Sequence, residues 1–362
     1  MNLRCRRHNC GIFGSHVAPP EFKIRHSVQC AKFSYQRPPD RVLNGSDTAA
    51  RLGQSGRRSG ALTAMTATTT SKIVWPSAVL AGCIFCMIVR DTRGVALAAS
   101  QRFNFFPASP LCCVTWVLAG EIQLITRPGE MDRPWSALKL PDVIFSGAQP
   151  GPLVSWNPGE TYAITIAFYP DAFAALTGLD LSAFTGRMVA ADDVLPEAMG
   201  NLCREFVAVV ERDGLEEGYA RFERSIAEAW SSVRPDGNQP MRRLKDWTSS
   251  LVLRAAFSGP GRSTRQIARR VKAWTGLSAR ELHGLGHSEK LYANIHEAIE
   301  KGHIDWAELA AASGFADQGH MIRRMRQHTG FTPEQLRRVT PSDESLWGYR
   351  LLGQYFSKPK HE

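Results

Sequence analysis

The spacing of apolar and polar positions changes period along this chain, and the change divides it. Between residues 75 and 196 the apolar positions come in short, β-rich runs at 80–89, 95–98, 113–118, 123–126, 143–145 and 162–168. Gly and Pro clusters separate them, and residues 90–94 read as a turn. Closely spaced short strands predict a sandwich or a barrel. Beyond them the period becomes helical, at 171–177, 196–212 and 216–233. In the last of these, Phe222, Ile226 and Trp230 form an i, i+4, i+8 stripe. That stripe fits packing against the β unit or a dimer interface. Residues 231–240 (Ser-Ser-Val-Arg-Pro-Asp-Gly-Asn-Gln-Pro) have the composition of a linker.

After the linker one pattern occurs twice. The twenty residues from Ser263 to Leu282 align without gaps on those from Asp317 to Leu336. Arg269/Arg323, Arg270/Arg324, Thr275/Thr329, Gly276/Gly330 and Leu282/Leu336 are identical. Ser263 and Asp317 can accept the free N–H groups of a first helical turn, and Gly276 and Gly330 can stop a helix. In the first copy Ile267, Val271 and Trp274 share a face, with Arg262, Arg265, Arg269 and Lys272 opposite. In the second, Met321, Ile322 and Met325 form the apolar side. Gly319, Arg323 and Arg326 lie opposite, and Gln318 and His320 sit in the first turn. Each copy follows an apolar helical stretch, 244–256 or 304–313, and a Gly-containing break. One basic helix would read as a solvated surface. Two in matching frames, each after a helix and a tight turn, carry the helix-turn-helix signature, whose second helix enters the DNA major groove.

The second copy resembles the C-terminal signature of the AraC/XylS family of bacterial transcription regulators. The residues that carry the resemblance are Ala310, Gly314-Phe315, Asp317-Gln318, His320, Arg323, Arg326, Gly330 and Thr332-Pro333. It covers about residues 241–340. Met321 and Met325 stand where the family usually has Phe, Gly319 where Ser is usual, and Leu336 where an aromatic is usual. The resemblance implies two helix-turn-helix units joined by a long helix, for which 279–301 is the candidate. Upstream, Ala108-Ser-Pro, Trp116-Val-Leu-Ala-Gly120, Phe145-Ser-Gly-Ala-Gln149 and the stretch from Tyr169 to Asp180 are similar to the N-terminal domains of one branch of that family. That likeness names no ligand.

Charge follows the same division. The chain carries +10 overall. Residues 1–60 hold 11 Lys/Arg and 3 Asp/Glu, residues 61–240 hold 13 and 19, and residues 241–340 hold 17 and 9. An acidic middle tethered to a basic double motif is the distribution expected of a DNA reader with a separate sensor. No His occurs between 61 and 240, which argues against a His-built metal site there, and no nucleophile–His pair is present. Catalysis is therefore not expected. His283, His287, His296 and His303 on or near the long helix lack a Cys or carboxylate cluster to complete a metal site. Neither metal nor cofactor is expected. Cys83-Ile-Phe-Cys86 and Cys112-Cys113 read as buried thiols in a reducing cytosol. The apolar run 78–89 is too short to span a bilayer.

The expected architecture is α+β. Residues 1–64 read as a disordered basic tail or an over-extended start, with Met65 the natural initiator. Residues 65–233 read as a β-rich sensor with a helical hairpin, 234–240 as the linker, 241–340 as the DNA-binding domain and 341–362 as a tail. Expected base-reading residues are Arg265, Arg269, Gln318, His320 and Arg323. Expected phosphate contacts are Arg262, Ser263, Arg270, Lys272, Arg324 and Arg326. The two recognition helices would enter major-groove segments about 34 Å apart. Double-stranded DNA is the expected partner of a cytoplasmic, nucleoid-associated regulator. Candidate further partners are RNA polymerase, a second copy and a small apolar or aromatic effector. Trp116, Phe145, Trp156, Tyr162 and Phe168 are the candidate pocket residues, with ordinary core packing the competing reading. The competing function is a sensor whose basic helices dock an acidic partner.

Overall fold

The computed structural model describes residues 28–29, 68–127, 136–235, 243–259, 261, 263–300 and 304–357. The expected basic tail apart from 28–29, most of the linker, and Arg262 and His303 lie outside these residues. The β-rich part contains strands β1 (Val28–Gln29), β2 (Thr70–Val74), β3 (Ile84–Asp91), β4 (Phe103–Phe106), β5 (Cys112–Ala119), β6 (Gln123–Arg127), β7 (Ser136–Lys139), β8 (Val143–Ser146), β9 (Leu153–Trp156), β10 (Tyr162–Phe168) and β11 (Arg187–Ala190). They form a larger antiparallel sheet in the order β1-β11-β8-β5-β10-β3-β2 and a smaller one in the order β4-β9-β6-β7. Residues 95–98, expected as a strand, are not one. The strands that the pattern does not announce are short and interrupted by Ser, Lys, Thr or Asn, as in Phe103-Asn-Phe-Phe106. Their pairing partners, not their own periodicity, hold them extended.

The larger sheet is amphipathic in an unexpected sense. Its bulky face, with Val114, Trp116, Phe145, Ile164, Ile166 and Phe168, is buried. Helices α1 (Pro170–Thr177), α2 (Glu197–Asp213) and α3 (Leu215–Val233) cover it. Trp116 lies 4.5 Å from the ring of Phe206 and 5.7 Å from that of Phe222, and its indole N–H donates to the Cys203 carbonyl at 3.1 Å. The opposite face carries Cys113, Thr115, Ser146, Ala163, Thr165 and Ala167, and faces a cavity that the smaller sheet also lines. Residues 86, 88, 113, 115, 163, 165 and 167 share it because successive strand residues point to opposite faces. The Phe222–Ile226–Trp230 stripe is buried in this chain's own core. It is therefore not a dimer interface. Cys83, Cys86 and Cys112 are also buried, and burial pushes the thiols of Cys113 and Cys203 up to about 12, so they stay protonated.

The remaining helices are α4 (Leu244–Phe257), α5 (Thr264–Thr275), α6 (Ala279–Glu300), α7 (Trp306–Ala312), α8 (Gln318–Thr329), α9 (Pro333–Val339) and α10 (Trp347–Ser357). Residues 341–362, expected as a tail, contain α10, with Trp347, Tyr349 and Leu351 buried. Its first residue packs edge-on against Phe106 at 5.4 Å. Gly348 permits this approach, since a Cβ there would lie 3.2 Å from the Phe106 ring. Two glycines in eleven residues weaken the local helix signal, and tertiary contact restores it.

Helix α1 joins sheet and helical half. Phe173 stacks on Phe145 at 5.2 Å, while Asp171 accepts the Trp247 indole N–H at 2.9 Å and pairs with Arg254 at 2.5 Å. The Asp171 side chain is 7% exposed, whereas the Arg204–Asp192 pair is 57% and 65% exposed. Losing Asp171 leaves a half-buried guanidinium and a buried indole N–H unmatched; the second pair is screened by water. Asp171→Ala is expected to lower unfolding stability by about 2–3 kcal/mol, and Asp192→Ala by under about 0.5 kcal/mol. Urea denaturation of the full chain measures both, and equal effects would contradict the assignment.

Candidate nucleic-acid interface

The two copies of the repeat build the same object. Ser263 and Gln266 form a reciprocal capping box at the start of α5, and the Asp317 carboxylate accepts the His320 N–H at 2.6 Å at the start of α8. The Thr-Gly endings work alike. Thr275 donates its hydroxyl to the Val271 carbonyl at 2.8 Å and accepts the Leu277 N–H at 3.1 Å. Thr329 does so with Met325 at 2.8 Å and Phe331 at 3.0 Å. Gly276 and Gly330 follow in the left-handed conformation, at φ 76° and 81°. The identical Thr-Gly pairs thus reflect one helix-ending device. Each helix lies against its predecessor, α5 against α4 and α8 against α7.

Burying Val271 in one copy and Met321 and Met325 in the other turns the opposite faces outward. Arg265, Ala268, Arg269 and Lys272 form an exposed stripe on α5; Gln318, Arg323 and Arg326 are exposed on α8. His320 is half-buried, its ring 5.5 Å from that of Phe315. Gly319 has a local reason. A side chain there would come within 3.1 Å of the Asp317 carboxylate that caps the helix and 3.3 Å of Arg323 Nη1.

Three of the expected phosphate contacts hold hydrogen bonds within the chain. Arg270 donates to the Ala255 carbonyl at 2.8 Å and to that of Gly261 at 3.2 Å, tying the end of α4 to the turn before α5. Ser263 is occupied by its cap, and Arg324 donates to Gln327 at 3.0 Å. Sequence periodicity placed Arg270 on the helix but could not reveal the carbonyls waiting for it across the turn. Arg262 lies outside the described residues. His283 and His287 are 4.4 Å apart, and among the described residues no group of three or more His, Cys, Asp or Glu gathers.

Both motifs are seated on the β-rich half. The first shares its core: Trp247, Leu251, Val271, Leu277 and Leu282 continue the cluster that contains Leu181 and Phe184. Thr185 donates to the Gly276 carbonyl at 2.9 Å, and a Cβ at Gly276 would lie 2.4 Å from that hydroxyl oxygen. The second motif has its own core, built on Leu291 and Ile295 of α6 and on Tyr349. It meets the sheets at the end of α8. Ala108 N–H donates to the His328 carbonyl at 2.6 Å, and Phe331 lies 5.6 Å from Phe105; within the motif's own core, Tyr349 O–H donates to the Thr329 carbonyl at 3.2 Å.

The cavity between the sheets has a volume of about 270 Å³. None of Trp116, Phe145, Trp156, Tyr162 or Phe168 lines it. The first two and Phe168 lie under the helices, Trp156 packs beside Phe103, and Tyr162 sits beneath the Arg93 guanidinium. The wall is made instead by small and aliphatic residues, by Asn104, Gln149 and Arg90, and by Trp347, Leu351 and Tyr355 of α10.

No protein-family model matches the chain, and no curated protein matches it. Solved structures do. An apo variant of ToxT from Vibrio cholerae is 13% identical, with a TM-score of 0.33 over 69% of this chain and 96% of that one. ToxT from the same organism with an unsaturated fatty acid bound is 12% identical, with a TM-score of 0.30 over 69% and 94%. The AraC-like transcriptional activator CuxR is 14% identical, with a TM-score of 0.25 over 76% and 82%. These superpositions are loose.

His328 closes the second motif with a titratable group. The residue is 5% exposed and its Nδ1 lies 2.5 Å from the Ser288 hydroxyl. Burial, and then the charge of Arg324, lower its pKa to about 4. The unfolded chain takes up this proton near 6.5, the folded chain only near 4. Stability from this residue is therefore complete above the unfolded value and is lost as pH falls from 6.5 towards 4. Between pH 7 and 5 the loss should be on the order of 2 kcal/mol. His328→Gln should remove that part of the slope in paired urea titrations; an unchanged slope would show that His328 titrates normally.

Proposed function

We propose that this protein is a sequence-specific, double-stranded-DNA-binding transcription regulator with a ligand-responsive β domain. One observation carries the reading: two helices of the same design, each with a side-chain N-cap and a Thr-Gly end, turn an exposed polar and basic stripe away from the core they pack on. The charge division supports it, since the basic excess lies in the half that holds these helices. Arg265 and Arg269 from α5, and Gln318, His320 and Arg323 from α8, are the proposed base readers. Arg can pair bidentately with guanine and Gln with adenine. Ala268 beside Arg269 keeps the α5 stripe low enough for close approach. Lys272 and Arg326 are the proposed phosphate contacts. Arg270 serves by holding the turn that sets the angle of α5. The proposed binding mode places the two helices in successive major-groove segments on one face of the duplex. One copy carries both helices, so a dimer is not required.

The cavity between the sheets is the proposed effector site. Concave, mainly apolar walls with a few convergent polar groups are the usual form of a small-molecule site. No helix of the described residues is long and apolar enough to cross a membrane.

Site selection from random duplex DNA with the full chain should recover a motif of two blocks about one helical turn apart. On that motif, Arg269→Ala and Arg323→Ala should each cost about 1–3 kcal/mol and relax one position. Lys272→Ala and Arg326→Ala should weaken all sequences alike and lower the slope of log K against log salt by about 1. Salt-dependent binding with no enriched sequence would instead favour basic helices that dock an acidic partner.

A further inference from the structure

The cavity holds one charged side chain whose pairing is incomplete. Arg90, on β3, is 5% exposed and lines the cavity. Its Nη1 donates to Ser71 Oγ at 2.8 Å, and its Nη2 meets Glu344 Oε1 at 2.8 Å. Among the described residues Nε has no hydrogen-bond partner. A carboxylate that matches a guanidinium takes both hydrogens of one edge, and Glu344 meets only one of them. The Trp347 ring lies 5.0 Å from the guanidinium carbon.

Glu344 is also shared. Its second oxygen meets Arg350 Nη2 at 2.6 Å, and Thr69 donates to its first at 2.7 Å. Two guanidinium groups thus rest on one carboxylate in a half-buried cluster, and the neighbouring Asp91 is held by Arg93 at 2.7 Å. The cluster has room for one more negative charge. Most of the remaining cavity surface is apolar, with Ile73, Phe85, Ile88, Phe106, Leu140 and Ile144 in its wall beside uncharged polar groups such as Asn104 and Gln149.

We propose that this cavity takes a small molecule with one carboxylate head and an apolar body, and that the head displaces Glu344 from Arg90. This rests on the effector site proposed above. The head takes the Nε and Nη2 hydrogens of Arg90 together, and Glu344 keeps Arg350. Glu344 stands three residues before the start of α10, so its release loosens the hold of α10 on the sheets. That hold reaches DNA binding. Trp347 donates to Asn104 in the cavity wall at 2.7 Å, and Tyr349, two residues on, holds the Thr329 carbonyl at the end of α8. Pro107 and Ser109 line the same cavity and flank Ala108, which holds the His328 carbonyl. A filled cavity therefore acts on the last turn of the second recognition helix from two sides.

The test is calorimetry of the full chain, without DNA, against ω-phenylalkanoates from phenylacetate to 6-phenylhexanoate and the matching alcohols. At least one acid should bind at least ten times more tightly than its alcohol. Glu344→Gln removes the competing charge and should tighten that acid about tenfold while leaving the alcohol unchanged. Arg90→Gln should erase the preference for acid. Hydrogen exchange over 344–357 should speed up when the acid binds. Acids and alcohols that bind alike, no acid that binds even the Glu344→Gln variant, or slower exchange over 344–357 would overturn the proposal. Because no DNA is present, these results stand apart from site selection: acid binding without an enriched DNA motif would remove the regulator reading and keep the pocket.

Discussion

Helix α1 resolves two packing problems at once, and the rest of the molecule depends on it. One side of it covers the bulky face of the larger sheet through Phe173 and Phe145. Its Asp171 anchors Trp247 and Arg254 of α4. The result is one continuous core from Trp116 to Leu285. The first helix-turn-helix unit is consequently a layer of the β-rich half, not a bead beyond a linker. Buried aromatic area supplies the energy, and the Asp171 contacts supply the register, because a buried carboxylate accepts few alternatives.

The second unit is attached differently. It has its own apolar cluster and touches the β-rich half through the Ala108–His328 hydrogen bond, through Phe331 against Phe105 and through Trp347 of α10 against Phe106. These contacts are directional, made of single hydrogen bonds and edge-on rings, and they lie outside the main core, whereas separating α4 and α5 from α1 would open it. They also lie beside the cavity wall.

The cavity itself follows from side-chain size. Cys113, Thr115, Ser146, Gly147, Ala163, Thr165 and Ala167 face the space between the sheets. With the large residues of the same strands committed to the helices, the intersheet space is left underfilled. A sandwich built for maximal packing would place its large residues inward. Here that density lies under α2 and α3, and the intersheet layer holds space, a buried guanidinium and the first turns of α10.

Local signals were enough to locate the long helices and their ends. Ser263, Asp317, Gly276 and Gly330 act through backbone groups within a few residues, so their meaning survives in a linear string. The repeat was legible for the same reason, as were the strands at 113–118, 143–145 and 162–168, which are β-rich runs set off by Gly and Pro clusters. Short strands such as β4 and β9, and helix α10 with its two glycines, gave weak signals because partners distant in sequence hold them. Which face of a strand meets which layer was also hidden. A period of two separates two faces but does not say which one lies beneath helices, and so the aromatic residues of β5, β8 and β10 pointed to a pocket they do not line. Arg270 and Arg90 carry the same lesson. The chain itself determined that they are charged and that Arg270 sits on a helix; Arg90, expected in the turn 90–94, lies on β3 instead. Only the tertiary structure decided that one clamps a turn and the other stands half-paired in a cavity, because a guanidinium takes its role from the acceptors that folding brings within about 3 Å of it.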